Sequence, residues 1–399
     1  MNKHGIVLKP IDTFFFRNHQ SFTAGEDSEA EMVFPPHLST VYGALRSAYI
    51  HQHSDFSIFS EGTDKNVRHW MGTPSTIGQF AIQGGFLCRM QKNDHDELED
   101  IYFPIPLDYQ IEDKADGKVL PLRLQKKDEQ DYSSHHGSHY LYRTTEEKAA
   151  SMQGVYVPYQ EWIQALIDPN KINRWFKVTD WLQRNPKVGI GRNNKENKAI
   201  DTEGEGLLYR IDMSMFKDKE LGLLVLTEDK HCPDLTQVPF ARLGGENRPW
   251  TIHQLPSSIN LLTKQQEQKI IQQVEKSNMA RLVLLTPAIW GYHNGSSSTG
   301  QKDRIVWQEN ENEQKLMIDE LEVSVLTSAV ERPNLIGGWD IHKRRPKPRR
   351  TAIPAGSVFY IQVPEGQAEK IVTKIHETRL TNELSHEGYG ISFCGVVQQ

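Results

Sequence analysis

The chain has 399 residues, enough for two domains or one large elaborated domain, with 37% hydrophobic residues, 25% charged residues and a formal net charge of −6. That acidity argues against a generally sticky surface for nucleic acid. A mean hydropathy of −0.60, with no run near the roughly 18 apolar residues of a bilayer span, argues against a helical membrane protein. Cys88, Cys232 and Cys394 are far apart and form no Cys-x-x-Cys, against a disulfide framework or a cysteine zinc site, and with Lys9, Asp12 and Arg17 interrupting any apolar signal core the expected location is a reducing cytoplasm.

In chain order, Gly5 to Lys9 predicts a first strand, ended by Pro10. Asp12 to Pro36 has no clean periodicity and reads as a long loop, a type of segment that tends to be functional. Ser39 and Thr40 are N-cap candidates for a helix over Val41 to His51, where Val41, Leu45 and Ala48 recur at helical spacing and Arg46 points toward a different face. Gln79 to Met90 and Ile101 to Pro104 predict strands around a polar hairpin tip. Glu112 to Ser151 is patternless and reads as an exposed insertion or a partly disordered segment. Tyr159 to Ile167 predicts a short helix. Leu207 to Met213 and Leu221 to Thr227 predict paired strands.

Thr263 to Ser277 predicts an amphipathic helix with one wet face, placed to link two domains. A second strand set follows: Arg281 to Leu285, Leu321 to Val330 and Ser357 to Val363. A helix over Glu369 to Leu380 and a last strand, Ile391 to Val397, complete it. This β–β–β–α–β order fits a split βαβ unit without its first helix.

The most distinctive stretch runs from Leu335 to Val363. A strand breaks at Gly337-Gly338, and six of the eight residues from Lys343 to Arg350 are then Lys or Arg. Pro346 and Pro348 oppose a helix, so the charges are expected on a semi-extended, mobile loop anchored to sheet at both ends. The plain reading is a solvated loop. The adjacent Trp339 favours a polyanion site, because an aromatic ring beside positive charge suits single-stranded nucleic acid. Val188-Gly189-Ile190-Gly191-Arg192 and Gly388-Tyr389-Gly390 suit close backbone approach, with an ordinary turn as the simpler reading. His135-His136-Gly137-Ser138-His139 invites a metal reading but lies on a Ser-rich loop with no supporting residues, and no metal or other cofactor is expected. His51, His53, His342 and His386 are acid–base candidates that no neighbour distinguishes, so binding is better supported than turnover.

An ordered set of motifs spans nearly the whole chain: Leu8 to Arg17, Phe34 to Arg46, Val188 to Arg192, Glu205 to Tyr209, Leu243-Gly244-Gly245-Glu246, Leu285-Thr286-Pro287-Ala288, Gly338-Trp339-Asp340 to Val358, and Glu387-Gly388-Tyr389-Gly390. In this order they resemble the RAMP-superfamily subunit of type III-B CRISPR (Cmr) effector complexes that binds the 5′ tag of the crRNA. The resemblance implies an α+β chain of two ferredoxin-like (RRM-like) domains with large loop insertions, over residues 1–278 and 279–399. It implies a non-catalytic subunit that grips the 5′ tag, contacts the large polymerase/cyclase-like subunit and an adjacent RAMP backbone subunit, and meets target RNA indirectly. The residues expected on RNA are Arg17, Ser39, Thr40, Arg46, Gly189, Gly191, Arg192, Trp339, Lys343, Lys347, Arg349, Arg350, Gly388, Tyr389 and Gly390, with Phe14 to Phe16 as further stacking candidates or core. Asn193 to Lys198 and the His135–His139 stretch depart from the family pattern. The competing readings are a precursor-processing endoribonuclease of the same fold and a protein scaffold that touches no RNA.

Overall fold

The computed structural model describes residues 3–17, 29–30, 32–92, 97–114, 117–128, 138–190, 192–193, 198–199, 201–202, 205–206, 208–292, 303–309, 313–340 and 342–398. It is a mixed α/β chain built on two mostly antiparallel sheets of eight and seven strands.

The centre of the first sheet runs Leu98–Pro104, Gly85–Met90, Leu221–Thr227, His4–Pro10, Pro249–Gln254, every pair antiparallel. Period-two alternation sorts its side chains. Ile6 and Leu8 face the helix Leu38–His53 and join Val41, Tyr42, Leu45 and Ile50 in one core. Val7, between them, faces a second core with Phe86, Leu224 and Leu226. Both faces of the sheet are thus covered, which is why its inner strands read as continuous apolar runs.

The second core is shared with the C-terminal sheet, whose order is Gly291–Tyr292, Ile305–Glu309, Gln314–Ile318, Leu321–Ala329, Val358–Gln362, Met279–Leu284, Ser392–Gly395. The helices Lys264–Ser277 and Ala368–Glu377 bury Ile270, Ile271, Val274, Ile371, Val372 and Ile375 in it. A capping box starts the first of them: Gln266 N–H donates to Thr263 Oγ1 at 3.2 Å, and Thr263 N–H to Gln266 Oε1 at 2.9 Å. That helix packs on its partner through a His376–Glu267 contact of 2.7 Å.

A buried charge pair ties the turn after Leu98–Pro104 to the C-terminal sheet. Arg281 Nε lies 2.8 Å from Asp108 Oδ2 with side-chain exposures of 1% and 2%, and Tyr360 donates to the same carboxylate at 2.8 Å. Burial lowers the Arg281 pKa, but the Asp108 charge acting together with Tyr109 and Tyr360 outweighs it and the value rises.

Several expectations are corrected. Leu208–Phe216 does not pair with Leu221–Thr227; it forms a long hairpin with Leu182–Ile190. The apolar pattern marks both as strands but carries no partner information. The strand expected from Gln79 starts at Gly85. Glu112–Ser151 is not patternless in space: Val119–Pro121, Arg123–Lys126 and His139–Tyr142 are strands, and Leu124 reaches the core. The basic run is a folded hairpin, not a loose loop. Trp339–Asp340 pairs with Arg345–Pro346, and Asn334–Ile336 with Arg350–Ala352. The turn closes because the Asp340 carboxylate accepts Lys343 N–H at 2.9 Å and Arg344 takes a φ of 48°.

A cleft between the first helix and the basic hairpin

Five segments surround a cleft of about 540 Å³. They are the helix Leu38–His53 from Ser39 to Ile50, the short helix Phe56–Glu61 through Phe56 and Phe59, the turn Thr73–Ile77, the hairpin from Gly337 to Lys347, and His386-Glu387, with Arg242 and Gly244 at one side. The helix starts at Leu38, directly after His37. Ser39 and Thr40 therefore sit in the first turn and do not cap it. Instead the Ser39 hydroxyl donates to the Glu387 carboxylate and lies 3.3 Å from the Tyr389 hydroxyl.

Arg46 fixes the opposite wall. Its Nε and Nη2 donate to the Met71 carbonyl at 2.9 and 2.7 Å, and Nη2 donates also to the Thr73 carbonyl at 2.8 Å. The guanidinium lies over the Phe59 ring at 5.1 Å. The turn it holds needs glycine: Gly72 has a φ of +70°, and a Cβ there would lie 2.3 Å from the Thr76 carbonyl oxygen.

The inner wall is buried and the mouth is exposed. Glu387 is 5% exposed, whereas Trp339 is 58% and Ile77 63% exposed. Arg242 and Lys347 are exposed cations at the mouth. His386 meets the Tyr42 ring edge-on at 5.2 Å and lies 3.7 Å from Glu387. Burial, with Arg46 and Lys347 nearby, holds the His386 pKa below the ordinary histidine value against the pull of Glu387. Burial also pushes Tyr42 and Tyr389 up to about 12, so both remain neutral phenols.

Of the residues expected on RNA, Ser39, Thr40, Arg46, Trp339 and Lys347 line this one cleft, and the acid–base candidates His342 and His386 join them. Lys343 lies at the hairpin turn, 4.0 Å from Asp340, and Arg349 is exposed beside it. Arg350 is turned away into an ion pair with Glu383 at 2.5 Å. Tyr389 is 1% exposed and closes the wall behind Glu387, so its ring offers no open face. Its flanking glycines serve the fold: a Cβ on Gly388 would lie 2.5 Å from Gly84 N, and one on Gly390 2.7 Å from Leu380 C. Phe14, Phe15 and Phe16 are all core, at 0%, 5% and 4% exposure.

The other expected residues lie elsewhere. Arg17 is exposed and bridges to Met32. Gly189 is mid-strand in the long hairpin, opposite Tyr209, and not in a turn. Arg192 pairs with Ala199 in a short ladder. Gly191, His135 and His136 lie outside the described residues. The sequence reading missed the Thr73–Ile77 turn, Arg242 and Glu387 as parts of one site. Gly72, Pro74 and Gly78 do signal a turn, but nothing local says that it folds back onto the helix.

Among the described residues no group of three or more His, Cys, Asp or Glu side chains is placed to hold a metal ion, and no helix is long and apolar enough to cross a membrane.

Fold and cleft together define a mixed α/β protein with one aromatic cleft rimmed by cations. The family described as CRISPR-associated protein (Cas_Cmr3) matches residues 6–397, and the chain belongs to that family. A comparison with curated proteins gave no match. Solved structures similar to this chain include two of the Type III-B Cmr-beta. One is a cryo-EM structure of the Type III-B Cmr-beta bound to cognate target RNA, with 14% identity, a TM-score of 0.44 and coverage of 89% of this chain and 86% of that chain. The other is of the same complex bound to cognate target RNA and AMPPnP in state 1, with 13% identity, a TM-score of 0.44 and coverage of 92% and 87%.

Proposed function

We propose that this chain is a non-catalytic crRNA-binding subunit of a type III-B CRISPR effector (Cmr) complex. It grips the 5′ repeat-derived tag of the guide and joins the large polymerase/cyclase-like subunit to an adjacent RAMP backbone subunit. Target RNA is met only through the guide. The observation that carries this reading is the convergence of Trp339, Lys347 and Arg242 on one cleft of an otherwise acidic protein. Single-stranded RNA is held in this way: an exposed ring takes a base and separated cations take the backbone.

The proposal includes two ferredoxin-like units. Strand order supports it. Taking His4–Pro10, Gly85–Met90, Leu221–Thr227 and Pro249–Gln254 as first to fourth, they lie in the sheet as fourth, first, third, second. Met279–Leu284, Leu321–Ala329, Val358–Gln362 and Ser392–Gly395 repeat that order. The first crossover keeps its helix in one half, Leu38–His53, and the second crossover keeps its helix in the other, Ala368–Glu377.

Titration of the full chain with single-stranded repeat RNA over a salt series tests the binding. Affinity should fall steeply as salt rises, and an equal duplex should bind less tightly. Salt-independent binding, or none, would overturn it. A second reading has one observation in its favour: His342, His386 and Lys347 share the cleft, as a metal-independent endoribonuclease would require. Incubation of repeat RNA with the chain, with and without divalent metal, should leave the RNA intact. Specific cleavage lost in His386→Ala would establish the enzyme instead.

A further inference from the structure

We infer that the cleft selects guanine. The inference rests on the proposed grip on single-stranded RNA and adds which base the cleft accepts.

The selecting group is Glu387. Its carboxylate forms part of the inner wall, 5% exposed, and accepts from the Ser39 hydroxyl. A carboxylate has about four lone-pair positions, and Ser39 occupies one. The neighbouring cations do not close the rest. Arg46 directs Nε and Nη2 to backbone carbonyls, and His386 stands 3.7 Å away with its protonated form disfavoured by burial. A buried acceptor with unused capacity in a cleft open to solvent calls for a donor from outside.

Among the four RNA bases only guanine presents two adjacent donors, N1–H and the 2-amino group, to match the two oxygens of one carboxylate. Adenine and cytosine each offer one amino group beside a ring acceptor, and uracil one N–H between two carbonyls. For these three, at least one acceptor lone pair would face the carboxylate and repel it. The size fits as well, since about 540 Å³ lies within the roughly 300–1,000 Å³ of small-ligand sites. Trp339, 58% exposed at the mouth, offers a ring for stacking, and Lys347 and Arg242 stand where the attached phosphates would leave the cleft.

The test uses the full chain and uridine octamers that carry a single guanosine, inosine, adenosine or cytidine, at fixed salt. Guanosine should bind about tenfold more tightly than adenosine or cytidine, the lower end for a bidentate base contact. Inosine keeps N1–H but lacks the 2-amino group and should fall between. Glu387→Gln should level the series while the salt dependence of binding stays as it was. Trp339→Ala should weaken every octamer alike. If the four octamers bind equally and with a steep salt dependence, the grip on RNA stands and the guanine preference is wrong. If none binds, both are wrong. The inosine comparison is made on the unaltered protein, so it decides the matter even if Glu387→Gln fails to fold.

Discussion

Arg46 lies off the apolar stripe of its helix, and its sequence context points to a phosphate. The structure gives its Nε and Nη2 to the carbonyls of Met71 and Thr73, so its first task is to hold the cleft wall. Arg46→Ala should lower stability by about 2 kcal/mol, the scale of hydrogen bonds from a charged donor, seen as a lower urea midpoint. Arg46→Lys should restore little, because an ammonium cannot reproduce the planar fork. Unchanged stability with weakened RNA binding would place this side chain on the phosphate after all. Asp108 makes a stronger case. Removing it strands the Arg281 charge, which is 1% exposed. Asp108→Ala should cost about 3–5 kcal/mol in denaturant unfolding, and a loss under about 1 kcal/mol would mean that water reaches Arg281.

At the scale of elements, the basic hairpin shows how far the sequence could be read. Its charge, its prolines and its anchoring on sheet were legible in Lys343 to Arg350. Its fold was not, because the pairing of Trp339 with Pro346 and the diversion of Arg350 to Glu383 depend on registers and partners that no local pattern encodes. The two kinds of cation should separate in experiment. Arg344, Arg345 and Lys347 changed together to Gln should leave the urea midpoint almost unchanged and reduce the salt slope of RNA binding by roughly one unit for each phosphate no longer neutralised. Arg350→Gln should instead loosen the hairpin, read as faster hydrogen exchange at Lys347 N–H, which donates to the Gly338 carbonyl at 2.9 Å. A salt slope identical to wild type in the triple variant would remove the hairpin from the RNA surface. Elsewhere, Asp319 joins Arg304, at the start of a strand, to Lys374 on the last helix, and these partners hold its pKa down at about 2. A lowered carboxylate stabilises fully above its unfolded value, near about 4, and that stabilisation fades as pH falls toward about 2. Asp319→Asn should therefore flatten the loss of stability between those pH values. An acid-unfolding curve identical to wild type would show the bridge to be idle.

At the scale of the whole molecule, element types and the ordered motifs were legible because they are local, and the family followed from their order. The cleft was not legible as one site. Its walls come from residues near 40, 57, 75, 340 and 387, brought together by two sheets that share a core, and no periodicity reports contacts between such distant segments. The aromatic run at Phe14 to Phe16 misleads for a related reason: chemistry suited to stacking on a base is equally suited to packing against Trp250 and Phe34. The central claim is that this fold exists to hold the 5′ end of a guide RNA. The most direct measurement is to recover the affinity-tagged chain from cells in its assembly and to sequence the 5′ ends of the small RNAs that come with it. The account predicts one uniform, repeat-derived 5′ end, depleted when Trp339 and Lys347 are both changed to Ala. RNAs with scattered 5′ ends, or an intact assembly whose RNA is unaffected by that double change, would contradict it.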